Sequence, residues 1–166
     1  GSLTNPLLPA FFAPETVTAY EIGSKNTLAD GRVRLNVAVY RNQFKDLQVQ
    51  NQFIITTATG LTTTSVILNA AKAHSQGVEV ELQAVPVANL NVSLSGAFMD
   101  TNYDSYNNTP APARYSGFYN LTGNEIPYSP RVKVTGGVSY DVNLGASGRI
   151  TPQASLMYSS SYQLTD

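Results

Sequence analysis

Glu79 and Glu81 are separated by one residue, so in any extended segment their carboxylates point to the same side. Such a pair could flank a glycosidic bond, one group acting as acid and the other as base or nucleophile. A second constellation lies between Asp104 and Tyr128, where Tyr106, Tyr115, Phe118, Tyr119 and Tyr128 surround Arg114, with Pro110, Pro112 and Gly117 shaping the chain. Aromatic faces beside one guanidinium suit sugars, aromatic chelates or anionic groups, because stacking and bidentate hydrogen bonding act together there. Arg114, Tyr115, Tyr119 and Tyr106 are therefore the candidate ligand contacts, against the plainer reading in which the tyrosines pack on their neighbours. His74 is the only histidine, so a histidine metal site would need carboxylates from afar. No metal-ligand spacing, strained-nucleophile motif or glycine-rich phosphate loop accompanies these residues, and neither a catalytic residue nor a metal or cofactor is expected.

The elements that must position these groups show a period of two. Val33, Leu35, Val37 and Val39 fall on one side; Val78, Val80 and Leu82 alternate with Glu79, Glu81 and Gln83; Leu90, Val92 and Leu94 alternate with Asn91, Ser93 and Ser95; and Val132, Val134 and Val138 alternate with polar neighbours. Sustained alternation predicts strands, and six are expected: Thr16 to Leu28, Arg32 to about Asn51, about Ser65 to Val85, Leu90 to Tyr103, Arg131 to Val142, and Arg149 to Tyr162. Turn residues at Ala29 to Gly31, Pro86 to Asn89 and Asn143 to Gly148 begin 57 residues apart in both intervals. The alternate connections, about Gln50 to Thr64 and Asp104 to Pro130, are long. The apolar Phe53 to Ile55 and Val66 to Leu68 around Ala58 to Gly60 leave open strands projecting beyond a bilayer or, in an isolated piece, an aggregation-prone zipper. The fold class read from this is all-β, an antiparallel up-and-down meander of about six long strands.

Composition narrows the setting. Of 166 residues only 13% are charged, while Asn, Ser, Thr and Gln number 53; the chain is polar without being ionic. A net charge of -1 and no Lys/Arg run leave no electrostatic footprint for nucleic acid, and zero Cys removes disulfides and thiolate sites. No stretch reaches the ~18 apolar residues of a spanning helix. Gly1 and Ser2 read as an expression scar, so residues 1–13 are expected to be scar and linker remnant and residues 14–166 the folded part.

Taking the apolar phase of every strand gives one outward face: Thr18, Tyr20 and Ile22, then alternate residues of Val33 to Val39, Val78 to Ala84, Leu90 to Phe98, Val132 to Tyr140 and Ile150 to Tyr158. None is charged and only Thr18 is polar. The opposite phase carries Glu21, Lys25, Arg34, Glu79, Glu81 and Lys133. Short turns at one rim and long loops at the other are a property of outer-membrane barrels. Tyr20, Phe98 and Tyr158 lie nine or ten residues from their turns, which at ~3.3 Å per residue and a tilt of ~40° is a rise of ~25 Å, the height of a lipid-facing band. Tyr140 then belongs to the lower girdle, and Tyr40, at the right height but in the wrong phase, calls for a bulge near it. His74 falls outward, just beyond the girdle, as a rim histidine. The alternative is a soluble, secreted carbohydrate-binding or adhesive β-sandwich, with the same apolar positions forming its core.

Pro14, Glu15 and Thr16, followed by Tyr20 to Lys25 and then Asp30 to Arg32, resemble a signature in the barrel of TonB-dependent outer-membrane receptors. Asn69-Ala70 leading into Gly77 to Glu81, and Gly123 to Pro127 with Pro130 opening the next strand, resemble the segments that follow. The resemblance spans Pro14 to Tyr162. It implies a 22-stranded barrel of the Gram-negative outer membrane, with a plug domain inside, that imports a scarce nutrient by TonB-coupled active transport; an iron chelate of siderophore type, haem, cobalamin or an oligosaccharide is the substrate class. Three hairpins are about a quarter of such a barrel. Glu79, Glu81, Lys133 and Arg34 then line the lumen, where the glutamates can pair with Arg34, Lys133 or the plug. The expected partners are the substrate, outer-membrane lipid and the TonB complex through the plug, and an isolated piece is expected to oligomerise through its open strand edges and to transport nothing alone.

Overall fold

The computed structural model describes residues 12–57, 59–107, 109–110 and 118–164. Six long strands form one antiparallel sheet in chain order: β1 (Thr16–Leu28), β2 (Val33–Thr57), β3 (Gly60–Ala84), β4 (Leu90–Tyr106), β5 (Val132–Tyr140) and β6 (Gln153–Ser159). Two-residue ladders, Thr109–Pro110 with Phe118–Tyr119 and Val142–Asn143 with Arg149–Ile150, extend two of the hairpins. The sheet is not closed, and among the described residues β1 and β6 each have one edge without a strand partner.

Among the described residues two packed sheets do not form. A sandwich would bury the apolar phase, yet Ile22 and Leu156 are 77% and 76% exposed, and the buried apolar residues gather in one cluster at the loop end. The outward phase instead makes a continuous apolar surface on one side of a single layer.

The register shows how that surface is built. Directly opposed residues of an antiparallel pair share a face, so the pairings read as rungs crossing the whole sheet. One outer rung runs Leu28, Val33, Ala84, Val92, Val138, Ala154; the next but one runs Ser24, Val37, Val80, Gly96, Val134, Tyr158. Tyr20, Phe98 and Tyr158 do not share a rung. Phe98 lies on the rung of Ile22, two positions below Tyr20, and Tyr158 on the rung of Ser24, four below. The lower edge descends in the same sense, from Leu28/Val33 to Leu90/Tyr140 and then Val142/Ile150. At ~3.3 Å per residue and ~4.8 Å between strands, four positions over five steps is a strand tilt of about 30°. A band of constant height on tilted strands requires this stagger, and the value is near the ~35–45° of outer-membrane barrels.

Several strand ends and the place of a bulge differ from the sequence reading. β2 and β3 do not stop at Asn51 and Ser65 but stay paired to Thr57 and Gly60, so the expected long connection from Gln50 to Thr64 is a hairpin; its β-branched residues and threonines favour a pleated backbone over a loop. The last strand is interrupted at Pro152, which has no N–H for the ladder but accepts one bond from the Tyr140 amide at 3.1 Å. The bulge is not at Tyr40, which keeps regular register with Glu21 and Gly77; it lies at Lys45 and Asp46, where Asp46 has φ 56°.

Two signature segments meet at that bulge. The Asn69 amide donates to the Asp46 carbonyl at 2.7 Å and to the Ala13 carbonyl at 2.8 Å, and the Gln48 amide N–H donates to a Glu15 carboxylate oxygen at 3.2 Å. Glu15 and Asn69, 54 positions apart in the chain, thus hold one kink from both sides, satisfying backbone groups that a bulge leaves unpaired.

Candidate functional site

Up to the rung of Ile22, Val39, Val78, Phe98 and Val132, the inner face is polar. Its rungs carry Glu79 and Lys133, then Lys25 and Glu81, then Arg34 with Gln83. The first two of these rungs line a trough of about 450 Å³ bounded by Glu21, Lys25, Asn36, Glu79, Glu81 and Lys133. Glu81 accepts hydrogen bonds from the Asn36 and Gln83 amides, both at 3.1 Å. The cross-strand ion pairs expected of Glu79 and Glu81 with Arg34 or Lys133 do not form, and the register gives the reason: Ala97 lies between Glu79 and Lys133 on their rung, and the neighbour of Arg34 on β3 is Gln83. The charges face the trough instead of each other.

Above that rung the inner face changes character. Tyr40 and Met99 flank Gly77, where a Cβ would collide with the Phe98 carbonyl oxygen and lie 3.0 Å from the Tyr40 hydroxyl; only glycine leaves room for the tyrosine ring across it. Tyr40 is thus the first ring of an inner apolar zone rather than a misplaced girdle residue. Beyond it Ala71, Ala73, Tyr103, Tyr106 and Leu121 are buried, with Phe44, Leu47, Val49 and Ile126 against them. The Tyr103 and Tyr106 rings meet edge to face at 4.9 Å.

Leu121 and Ile126 reach this zone because the second half of the long connection returns along β4. The Leu121 amide donates to the Tyr106 carbonyl (2.8 Å), Gly123 to Tyr103 (2.8 Å) and Ile126 to Thr101 (3.2 Å), while the Tyr103 amide donates back to Asn124 (3.0 Å). Glu125 bridges Asn102 and takes Nε of Arg131 at 2.6 Å. The stretch from Leu121 to Ile126 of the long connection is therefore bonded to the sheet.

The four candidate ligand contacts separate. Tyr106 is 1% exposed, its ring held within the apolar cluster; Tyr119 is 44% exposed on the short ladder above it. Arg114 and Tyr115 lie outside the described residues. Tyr128 is exposed, its ring 6.1 Å from that of Tyr162.

Sequence reasoning missed a network on the outer face at the same height. Arg41 Nη1 donates to Gln76 Oε1 at 2.7 Å, Gln76 Nε2 to Asp100 Oδ2 at 3.1 Å, and Asn102 Nδ2 to Asp100 Oδ1 at 2.7 Å. His74 is not an exposed rim residue: its side chain is 15% exposed, with Nδ1 2.7 Å from Asp104 and Nε2 3.6 Å from Asp100. Above the apolar band, the hydrogen bond from Gln76, aided by Asn102 and His74, holds the Asp100 carboxyl below its ordinary range against the opposing effect of desolvation. The signal was present in β4, where the phase of Leu90 to Phe98 continues as Asp100, Asn102 and Asp104.

Over residues 2–166 the chain matches the family described as TonB dependent receptor-like, beta-barrel. In fold it is similar to the ferric yersiniabactin uptake receptor FyuA from Yersinia pestis, with a TM-score of 0.62 and 21% identity over 89% of this chain. The match covers 19% of that receptor, so the chain spans less than a fifth of its length. The family is one of outer-membrane receptors, in whose barrels an apolar outer face meets lipid and a polar inner face lines the lumen. With an apolar band on tilted, staggered strands, a polar inner trough and a family match along almost the whole chain, the protein belongs to the β-barrel family of TonB-dependent receptors.

Proposed function

We propose that these strands are part of the wall and mouth of a receptor that captures a scarce nutrient, an iron chelate of siderophore type or a ligand like it, and imports it by TonB-coupled active transport. The observation that carries this reading is the change of the inner face along its height, from an apolar, aromatic shelf at the loop end to a trough of uncompensated charges below. A ligand with aromatic or apolar surface meets the shelf and the loop first. Arg114, Tyr115 and Tyr119 are the contacts, and Tyr106 acts as part of the shelf that fixes the loop. Glu79, Glu81, Lys133 and Arg34 line the path below and pair with a plug domain in the whole receptor; rearrangement of that plug, driven by the TonB complex from the periplasm, opens the path. The inner carboxylates serve as lumen wall rather than as catalysts, in keeping with a receptor family.

The test is ligand binding by the full receptor, using ferric chelates, haem, cobalamin and oligosaccharides as probes. The variant carrying Arg114→Ala and Tyr119→Ala should lose about tenfold or more in affinity for the ligand that the wild type binds, through lost stacking and charge-assisted hydrogen bonds. Unchanged affinity would remove the loop from the site.

A further inference from the structure

The inner face divides across the strands as well as along its height. Lys25, Arg34, Glu79 and Glu81 stand on β1, β2 and β3, and on the rungs of Glu81 and Arg34 the strands β4, β5 and β6 carry Ser95, Thr135 and Met157, then Ser93, Gly137 and Ser155. Below Lys133 no inner residue of β4, β5 or β6 is charged, and only Asn91, Gln153 and Met157 are longer than threonine.

This half of the wall is also flat and unengaged. Gly137 sits between Ser93 and Ser155, and a Cβ there would lie 2.8 Å from Ser93 Oγ, so the serine hydroxyl leans over the glycine along the sheet. Ser93, Ser95, Thr135 and Ser155 are exposed, and among the described residues none of their hydroxyls has a hydrogen-bond partner. The recess runs on from rung to rung. The trough of Glu79 and Lys133 takes in Ser95 and Thr135, and a second, of about 680 Å³, begins on the next rung with Ser93, Gly137 and Ser155 and reaches Ser139 and Gln153 at the turn end.

A passage needs a wall of this kind. Clustered charges of both signs hold a partner firmly, whereas conduction requires contacts that form and break at successive sites. A hydroxyl both donates and accepts, so a row of free hydroxyls exchanges hydrogen bonds with an oxygen-rich ligand step by step, and short side chains leave the width for it. Lys133 heads the row, without an acidic partner among the described residues, and favours a ligand of negative charge.

We propose that the ligand's path towards the periplasm runs along the inner wall of β4, β5 and β6, from Lys133 past Ser95 and Thr135 to Ser93 and Ser155, while the charged wall of β1, β2 and β3 is the half that the plug covers. The ligand class is anionic and rich in oxygen, such as a carboxylate-bearing chelate. This rests on the reading of the chain as the wall of an importing receptor.

The test uses the full receptor, cleared of any other thiol, in cells that hold the TonB complex. Its probe is whichever of the ferric chelates, haem, cobalamin and oligosaccharides the wild type takes up, and capture at the mouth is measured apart from energised uptake. Ser95→Cys and Ser155→Cys keep the size of the side chain, and each thiol is then capped with a methyl or a bulky methanethiosulfonate reagent. The bulky cap should cut the uptake rate at least about tenfold relative to the methyl cap, with the same affinity at the mouth for both. Asn36→Cys lies on the rung of Ser95, on the charged wall, and its thiol should react at least about tenfold more slowly than that of Ser95→Cys because the plug covers it. Lys133→Glu should slow uptake about tenfold relative to Lys133→Arg. Uptake indifferent to the bulky cap, loss of affinity at the mouth along with uptake, or equal reactivity of the Asn36→Cys and Ser95→Cys thiols would overturn the path. Equal uptake by Lys133→Glu and Lys133→Arg would overturn the anionic ligand class. A wild type that captures and imports none of the probes would instead overturn the reading of the chain as an importer.

Discussion

The turn-side and loop-side halves of the sheet are made by the same strands, yet their faces are exchanged. Below the rung of Val39, Val78 and Phe98, apolar residues point outward and Glu79, Glu81 and Lys133 inward; above it, Arg41, His74, Asp100 and Asp104 point outward and Phe44, Ala73 and Tyr103 inward. A strand crossing from lipid into water must make this exchange, because lipid no longer covers its outer face and a returning loop has begun to cover its inner one. The difference teaches that one alternation rule, read with a switch of sign, locates the membrane surface along a strand.

The comparison breaks most readily where a side chain is buried on the upper inner face. Tyr106→Ala should cost about 3–5 kcal/mol by the emptied volume it leaves, whereas Tyr128→Ala, at an exposed ring, should stay within about 0.5 kcal/mol. Denaturant unfolding of the full receptor measures both. The outer face gives the next contrast: Leu94→Arg in the lipid band should destabilise by about 2–4 kcal/mol, and Thr18→Arg above the band by about 0–1 kcal/mol. Equal costs would mean that the two positions share one solvent.

At the crossover itself, Gly77→Ala forces a Cβ against the Phe98 carbonyl and the Tyr40 hydroxyl and should cost about 1–3 kcal/mol. Gly136→Ala in the band, where the nearest atoms are 3.9 Å away, should be near neutral. The smallest effect is that of pH. Asp100 titrates below its ordinary value of 3.8, so its network stabilises the folded state fully above that value and the benefit is lost as pH falls through the lower, folded-state value. Asp100→Asn should therefore flatten the acid limb of an unfolding profile slightly, with the small loss of stability appearing in the neutral region, where the wild-type network contributes in full.

Much of this was legible in the chain. β1 runs from Thr16 to Leu28 as the alternation and the Ala29 to Gly31 turn require, and the turn-side half of every strand follows period two because one of its faces must be uniformly apolar. The loop-side half was harder. Tyr40 looked out of phase because an alternation of fixed sign was extended past the point where the sign changes, and the bulge was expected there for the same reason. β2 and β3 were read as ending early because threonine-rich segments resemble connections when their pairing partner is unknown. The network around His74 joins residues of three strands, so its closure depends on register, which no single strand's pattern contains. Why Glu15 and Asn69 recur in the family resemblance also became physical only when both met the bulge at Asp46.

The chain has no cysteine, so a label in β4 meets no native thiol within it, and single-cysteine scanning of β4 in a full receptor cleared of any other thiol is the most direct measurement. Spin labels placed one at a time from Leu90 to Tyr106 in membrane vesicles report lipid or water through collision with oxygen or with a water-soluble relaxant. The exchange of faces requires lipid contact at the even positions from 90 to 98, water contact at 100, 102 and 104, and protection from both at 103 and 106. Lipid contact continuing through 104, or no change of environment between 98 and 100, would contradict it.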